Sequence, residues 1–168
     1  GERKTSAVEP DTVHDHIARN KDIGDILIPV YMMYKAPKDL SSHCILVGSL
    51  KGIKGFLSVL RFFSHIPVLM LNEFTNDEPL IRSCVEEFKS VYLLRGNGLS
   101  TQYLLDAGVE RAHCVVVRSD PEQATNVNMG ARIRDTTTIF TSCIVEEEFN
   151  CRIIAEMLDE QSMAFLKH

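Results

Sequence analysis

From Cys44 onward, short apolar runs alternate with stretches in which apolar residues recur every three or four positions. The runs are Cys44-Ile45-Leu46-Val47, Val68-Leu69-Met70-Leu71, Val91-Tyr92-Leu93-Leu94 and Cys114-Val115-Val116-Val117, each the pattern of a strand buried on both faces. Between the first two, Ile53, Phe56, Leu57, Leu60 and Phe63 form one apolar stripe and predict a helix over 51–64. A second helix follows Asn76 or Asp77 as its cap, tolerates Pro79 in its first turn and carries Leu80, Ile81, Cys84, Val85 and Phe88. A short third helix, capped by Ser100, runs through Leu104 and Leu105 and stops at Gly108.

Residues 118–134 have few apolar groups and no period, which predicts a long exposed loop. Ile139, Phe140, Cys143, Ile144 and Phe149 then suggest a helix over 136–148, residues 152–156 a fifth strand, and residues 159–166 a last helix. Ahead of all this, residues 1–22 read as a polar tail, and residues 23–37, interrupted by Pro29 and Pro37, as an approach segment lying on the domain surface. Strand–helix alternation over residues 23–168 demands an α/β domain: a Rossmann-like, doubly wound parallel sheet with right-handed crossovers and helices on both faces.

Composition narrows the function. With 45% apolar and 24% charged residues the chain is globular, and its net charge of −5 offers no Lys/Arg cluster for nucleic-acid phosphates. Its apolar runs fall far short of the ~20 residues that span a bilayer. The five cysteines stand singly, with no C-x-x-C pair, as expected of free thiols in a reducing compartment.

In this fold ligands bind at the carboxyl ends of the strands, and a dinucleotide's pyrophosphate sits on the first strand-to-helix turn. Here that turn is Gly48-Ser49-Leu50-Lys51-Gly52-Ile53. With Gly48 as the first fingerprint glycine, Leu50 and Ile53 occupy the other two glycine positions, so the cradle is crowded. Glu73, at the end of the second strand, stands where an acid would meet a ribose hydroxyl. Asn97 and Gly98 follow the third strand, and Ser119 and Asp120 the fourth. Gly48, Ser49, Glu73, Asn97 and Ser119 are therefore the candidate ligand crevice.

Catalytic patterns are weaker. His14 and His16 lie in the polar tail, and His43, His65 and His113 lack the spacing of a triad. Glu146-Glu147-Glu148 point in different directions on a helix and form no oxygen cage. No catalytic residue, metal ligand or enzymatic activity is assigned.

Three segments, in this order, carry a resemblance: residues 43–48 leading into a helix that ends Leu60-Arg61, residues 100–117 around Leu104-Leu105-Asp106-Ala107-Gly108-Val109, and residues 152–166. Over residues 23–166 the chain resembles the RCK (regulator of potassium conductance) domains, in particular the second such domain of BK-type and Slack-type potassium channels. That resemblance implies a cytoplasmic gating-ring domain of a calcium-activated channel, on the inner side of a membrane. Its partners would be other RCK domains of a homotetramer and the potassium pore. No cofactor is assigned within these residues, because the acidic calcium-binding bowl of BK-type channels would begin after His168. Met32, Met33 and Phe165 are the apolar residues expected to be exposed for contacts between subunits. The competing readings are a nucleotide-binding (NAD or ATP) regulatory domain of a potassium transporter, which needs the glycine fingerprint, and a Rossmann oxidoreductase, which needs a catalytic acid or base as well.

Overall fold

The four apolar runs pair side by side in a computed structural model, which describes residues 32–33, 35–73, 78–119 and 135–166. The polar tail, the proposed cap residues Asn76 and Asp77, and loop residues 120–134 lie outside the described residues. In chain order the elements are β1 (Met32–Met33), β2 (Cys44–Gly48), α1 (Ile53–Phe63), β3 (Val68–Asn72), α2 (Glu78–Glu87), β4 (Val91–Arg95) and α3 (Thr101–Asp106). After a 3-10 turn at Val109–Arg111 come β5 (Cys114–Arg118), α4 (Thr136–Phe149), β6 (Ile153–Ala155) and a 3-10 segment, Glu160–Leu166.

All strand pairs are parallel, in the order β1-β4-β3-β2-β5-β6. The chain lays down β2, β3 and β4 in one direction, then crosses back to place β5 and β6 on the other side of β2. The order therefore reverses between β2 and β5, the switch point at which such sheets open a ligand crevice. The five expected strands are present. The approach segment also contributes a sixth: Met32 and Met33 pair with Leu93 and Leu94, and Met33 packs on the core, where it had been expected to be exposed. Only the backbone of Met32 is described.

Burial follows strand alternation. Ile45, Val47, Leu69, Leu71, Val115 and Val117 form one core with Leu104 of α3 and Val145 of α4. Residues of opposite parity, Leu46, Val68, Met70 and Leu93, are as deeply buried, as are Ile53 and Leu57 of α1 and Ile81 and Cys84 of α2. Gly108, at φ +74° after α3, takes the left-handed turn that stops that helix. Ser100 stands at the N-cap of α3, although its side chain makes no capping bond.

Two helix faces differ from the expected stripes. Phe63 of α1 is 79% exposed, beside an exposed Phe62 whose ring it meets edge-on at 5.0 Å. On α4 the buried face is Thr138, Ile139, Thr141, Ser142 and Val145, and Phe140 is exposed. Hydroxyl groups thus occupy positions that an apolar stripe would fill, and Thr138 joins a buried polar network described below.

His43, immediately before β2, is fully buried, with Nε2 2.9 Å from the carbonyl oxygen of Ala107. A carbonyl only accepts, so Nε2 carries the proton and Nδ1 is bare, with no hydrogen-bond partner. Burial lowers the His43 pKa; the bond to Ala107 opposes this, and the Arg111 cation reinforces it. The folded state thus binds this proton less readily than the unfolded chain. Its contribution to stability is complete above the ordinary histidine value of 6.5 and declines as pH falls from there towards the folded value. Melting temperatures from pH 7.5 to 5 are expected to fall more steeply for the wild type than for His43→Leu, whose lower stability lacks this slope. Parallel slopes would exclude His43 as the group responsible.

Candidate functional site

The carboxyl ends of β2 and β5 meet at the switch point, where Gly48 is opposite Arg118. Gly48 sits at φ +97°, and a Cβ built there would lie 2.0 Å from the Arg118 carbonyl oxygen. Only glycine allows the two strands to approach this closely. The turn is then tied down from three sides. Ser49 N–H donates to the Arg118 carbonyl (3.2 Å), and Asn72 Nδ2, from the end of β3, donates to the Gly48 carbonyl. The Arg118 guanidinium folds over the turn, donating from Nη1 to Ser49 O (3.1 Å) and from Nη2 to Lys51 O (2.8 Å). Its Nε lies 3.4 Å from a Glu156 carboxylate oxygen, just past β6.

Leu50 and Ile53 turn inward, 6% and 1% exposed, where the fingerprint would have glycines. Gly52, at φ +71°, caps α1 with no side-chain cap bond. Neither position is the glycine that a dinucleotide-binding turn uses for close approach of a pyrophosphate, and the carbonyls of Ser49 and Lys51 are held by Arg118. The Arg118 guanidinium thus lies against the turn at the switch point.

The five candidate residues fall into three groups. Gly48 and Ser49 belong to this turn. Glu73 and Asn97 come together: Asn97 Nδ2 donates to Glu73 Oε1 (3.0 Å), and Asn97 Oδ1 accepts from Leu99 N–H (3.1 Å). Gly98 beside them has no room for a side chain, because a Cβ would lie 2.6 Å from both Val47 and Thr141 methyl carbons.

Ser119 does something else. Buried at 4% exposure, its hydroxyl donates to Asp135 Oδ1 (2.8 Å), and it lies 2.8 Å from Thr138 Oγ1 and 2.6 Å from the Glu156 carbonyl oxygen. Asp135, 1% exposed, also accepts from Leu158 N–H (2.9 Å) on Oδ1 and from Asp159 N–H (3.0 Å) on Oδ2. Ser119 is thus part of a structural hub joining the end of β5, the start of α4 and the segment after β6.

Sequence reasoning missed Asn72, Arg118 and Asp135, all of which act on partners at least 16 residues away. A polar residue closing an apolar strand, as Asn72 and Arg118 do, is the one signal that pointed to them. Among the described residues no three His, Cys, Asp or Glu side chains converge as metal ligands, and no helix is long and apolar enough to cross a membrane.

Comparison with known proteins adds a family. The model of the calcium-activated potassium channel slowpoke-like RCK domain matches residues 39–155. No curated protein matches the chain. Among solved structures, the human SLO3 gating ring superposes with a TM-score of 0.63 at 16% identity, covering 81% of this chain and 25% of that one. The GsuK channel bound to NAD gives 0.61 at 13% identity, covering 92% and 23%. The TrkA-N domain of the inner membrane protein ybaL from Escherichia coli gives 0.51 at 16% identity, covering 76% and 82%. At these identities the structures establish the fold. The chain spans about a quarter of the length of the two channel chains.

Proposed function

We infer the function of this chain from its family: it belongs to the slowpoke-like RCK domains, the regulatory domains of calcium-activated potassium channels. Within that family we assign it to a cytoplasmic gating ring, in which it packs against other RCK domains of a tetramer and transmits ligand binding to a potassium pore. The observation that carries this reading is the family match over residues 39–155, which includes the sheet from β2 to β6. The likeness to the SLO3 gating ring supports it.

A gating domain works by having two arrangements of similar energy that a ligand favours unequally. Nothing in this requires a reacting group. Among the described residues no three His, Cys, Asp or Glu side chains converge, and no calcium ligand is assigned to them. Exposed Met163 and Phe165 on the terminal 3-10 segment, and exposed Phe140 on α4, provide apolar surface for neighbouring domains. Patch recordings of the full-length protein that carries this segment are the test. Calcium should shift channel opening, and replacing residues 39–155 with the corresponding segment of a calcium-insensitive relative should abolish the shift. A protein that conducts no potassium, or that is indifferent to calcium, would refute the assignment.

The second reading, a nucleotide-binding regulatory domain of a potassium transporter, is favoured by the NAD named with the GsuK channel and by the TrkA-N likeness. It is opposed by Leu50, Ile53 and the Arg118 guanidinium at the switch point. A ligand at a hundred times its Kd stabilises by about 2.7 kcal/mol, which is roughly 5–10 °C in melting temperature for a domain of this size. NAD, ADP and ATP are each expected to leave the melting temperature unchanged. A rise of that size with any of them would establish the second reading.

A further inference from the structure

We propose that Cys44 and Cys114 form a reversible disulfide site, oxidised by hydrogen peroxide and reset by a dithiol, that cross-links the two central strands of the sheet. The two cysteines open β2 and β5 and are directly opposite each other in the parallel register. Adjacent strands run about 4.7–4.9 Å apart, inside the Cα separation of roughly 4.4–6.8 Å that a disulfide bridges. Register partners in a parallel pair project to the same face, so the two side chains are direct neighbours. Both side chains are buried, at 4% and 6% exposure, and both thiols are free. The pair lies at the amino end of the sheet, the opposite end from the switch point.

The two thiols are chemically unequal. A hydrogen bond from the Cys44 thiol holds Cys114 below the usual thiol range; burial opposes this and the Arg152 cation assists it. Cys44, as the donor in that bond and buried as well, is held above the range. We take Cys114, the thiol held lower, as the nucleophile and its register partner Cys44 as the resolving thiol. The Cys114 thiolate attacks one peroxide oxygen, the O–O bond breaks, and Cys114 becomes a sulfenic acid as hydroxide leaves. The Cys44 sulfur then displaces the sulfenic oxygen as water, giving up its own proton. In total, two thiols and one hydrogen peroxide yield one disulfide and two waters.

Strain makes the bond reversible. A bridge between directly opposed residues of neighbouring strands must draw its Cβ atoms towards the ~3.8 Å that a relaxed disulfide prefers, and strained disulfides are the readily reduced ones. Cys151, half-buried nearby, is the competing partner, but burial holds its thiol above the ordinary range.

The test uses the whole chain, reduced and then exposed to hydrogen peroxide, with remaining thiols alkylated under denaturing conditions. Two of the five thiols should be lost. A non-reducing peptide map should link Cys44 to Cys114, and dithiothreitol should restore all five. In Cys44→Ser the sulfenic acid should persist on Cys114 and react with dimedone, whereas Cys114→Ser should leave Cys44 reduced. Five thiols surviving peroxide, a Cys114–Cys151 link, or oxidation of Cys44 in the Cys114→Ser chain would each overturn the proposal. The peptide map of the wild-type chain decides it even if a variant does not fold.

Discussion

Gly48→Ala should destabilise the domain by roughly 3–5 kcal/mol, a large share of the ~5–15 kcal/mol that holds a native domain together. Two costs combine. A φ of +97° is a conformation that side chains rarely adopt, costing about 1–3 kcal/mol. The new methyl would also lie 2.0 Å from the Arg118 carbonyl oxygen, 3.0 Å from its carbon and 3.3 Å from its nitrogen. Those are backbone atoms, so no side chain can swing aside. Relief requires β2 and β5 to part, breaking the Ser49 N–H bond to Arg118 and pulling the guanidinium off Ser49 and Lys51. Gly55, in the middle of α1 with nothing within 4 Å of a built Cβ, is the control. Gly55→Ala should stabilise by about 0.5–1 kcal/mol, because alanine loses less backbone entropy in a helix. Urea denaturation of both variants measures the difference. If Gly48→Ala falls within about 1 kcal/mol of the wild type, the close contact at the switch point does not hold.

This position also shows what the sequence makes legible. Continuous apolar runs such as 44–47 and 114–117 announce strands buried on both faces, because a parallel sheet covered by helices leaves no polar side. The stripe of α1 follows from 3.6-residue periodicity as far as Leu57, but Phe62 and Phe63 stand exposed where only a partner would hide them. Leu50 and Ile53, the residues in place of fingerprint glycines, are legible because a missing glycine is a local fact, and both are buried. The guanidinium that holds the turn's carbonyls arrives from 69 residues further along the chain, and no local period encodes it.

The same reasoning explains α4 and β1. Thr138, Thr141 and Ser142 lie outside the apolar spacing of the helix, yet they are buried, and Thr138 meets the Ser119 hydroxyl that bonds Asp135 at the start of the helix. A two-residue strand such as Met32–Met33 has no period at all, and only pairing with Leu93 and Leu94 defines it. The cysteines illustrate the point once more. Each is a lone thiol in the sequence, and the pairing of Cys44 with Cys114 exists only once β2 and β5 are neighbours.

Asp135→Ala should cost roughly 3 kcal/mol, because one carboxylate accepts hydrogen bonds from the Ser119 hydroxyl and from the N–H groups of Leu158 and Asp159. A buried donor stripped of its acceptor costs about 1–3 kcal/mol, with water offsetting part of that at the partly exposed Leu158. Asp135→Asn retains an oxygen acceptor at similar size and should cost about half as much. The pH dependence separates charge from shape. Burial pushes the Asp135 carboxyl up, but the bonds from Leu158, Ser119 and Asp159 outweigh it, and the net pKa lies below the ordinary value of 3.8. The folded state therefore releases this proton more readily than the unfolded chain. The charge contributes stability above about pH 3.8, and that contribution fades as pH drops from there towards the folded value. Urea midpoints at pH 7 and pH 3 should thus converge: the gap between wild type and Asp135→Asn seen at pH 7 should narrow at pH 3. A gap of constant size across that pH range would show that the hub is held by shape alone.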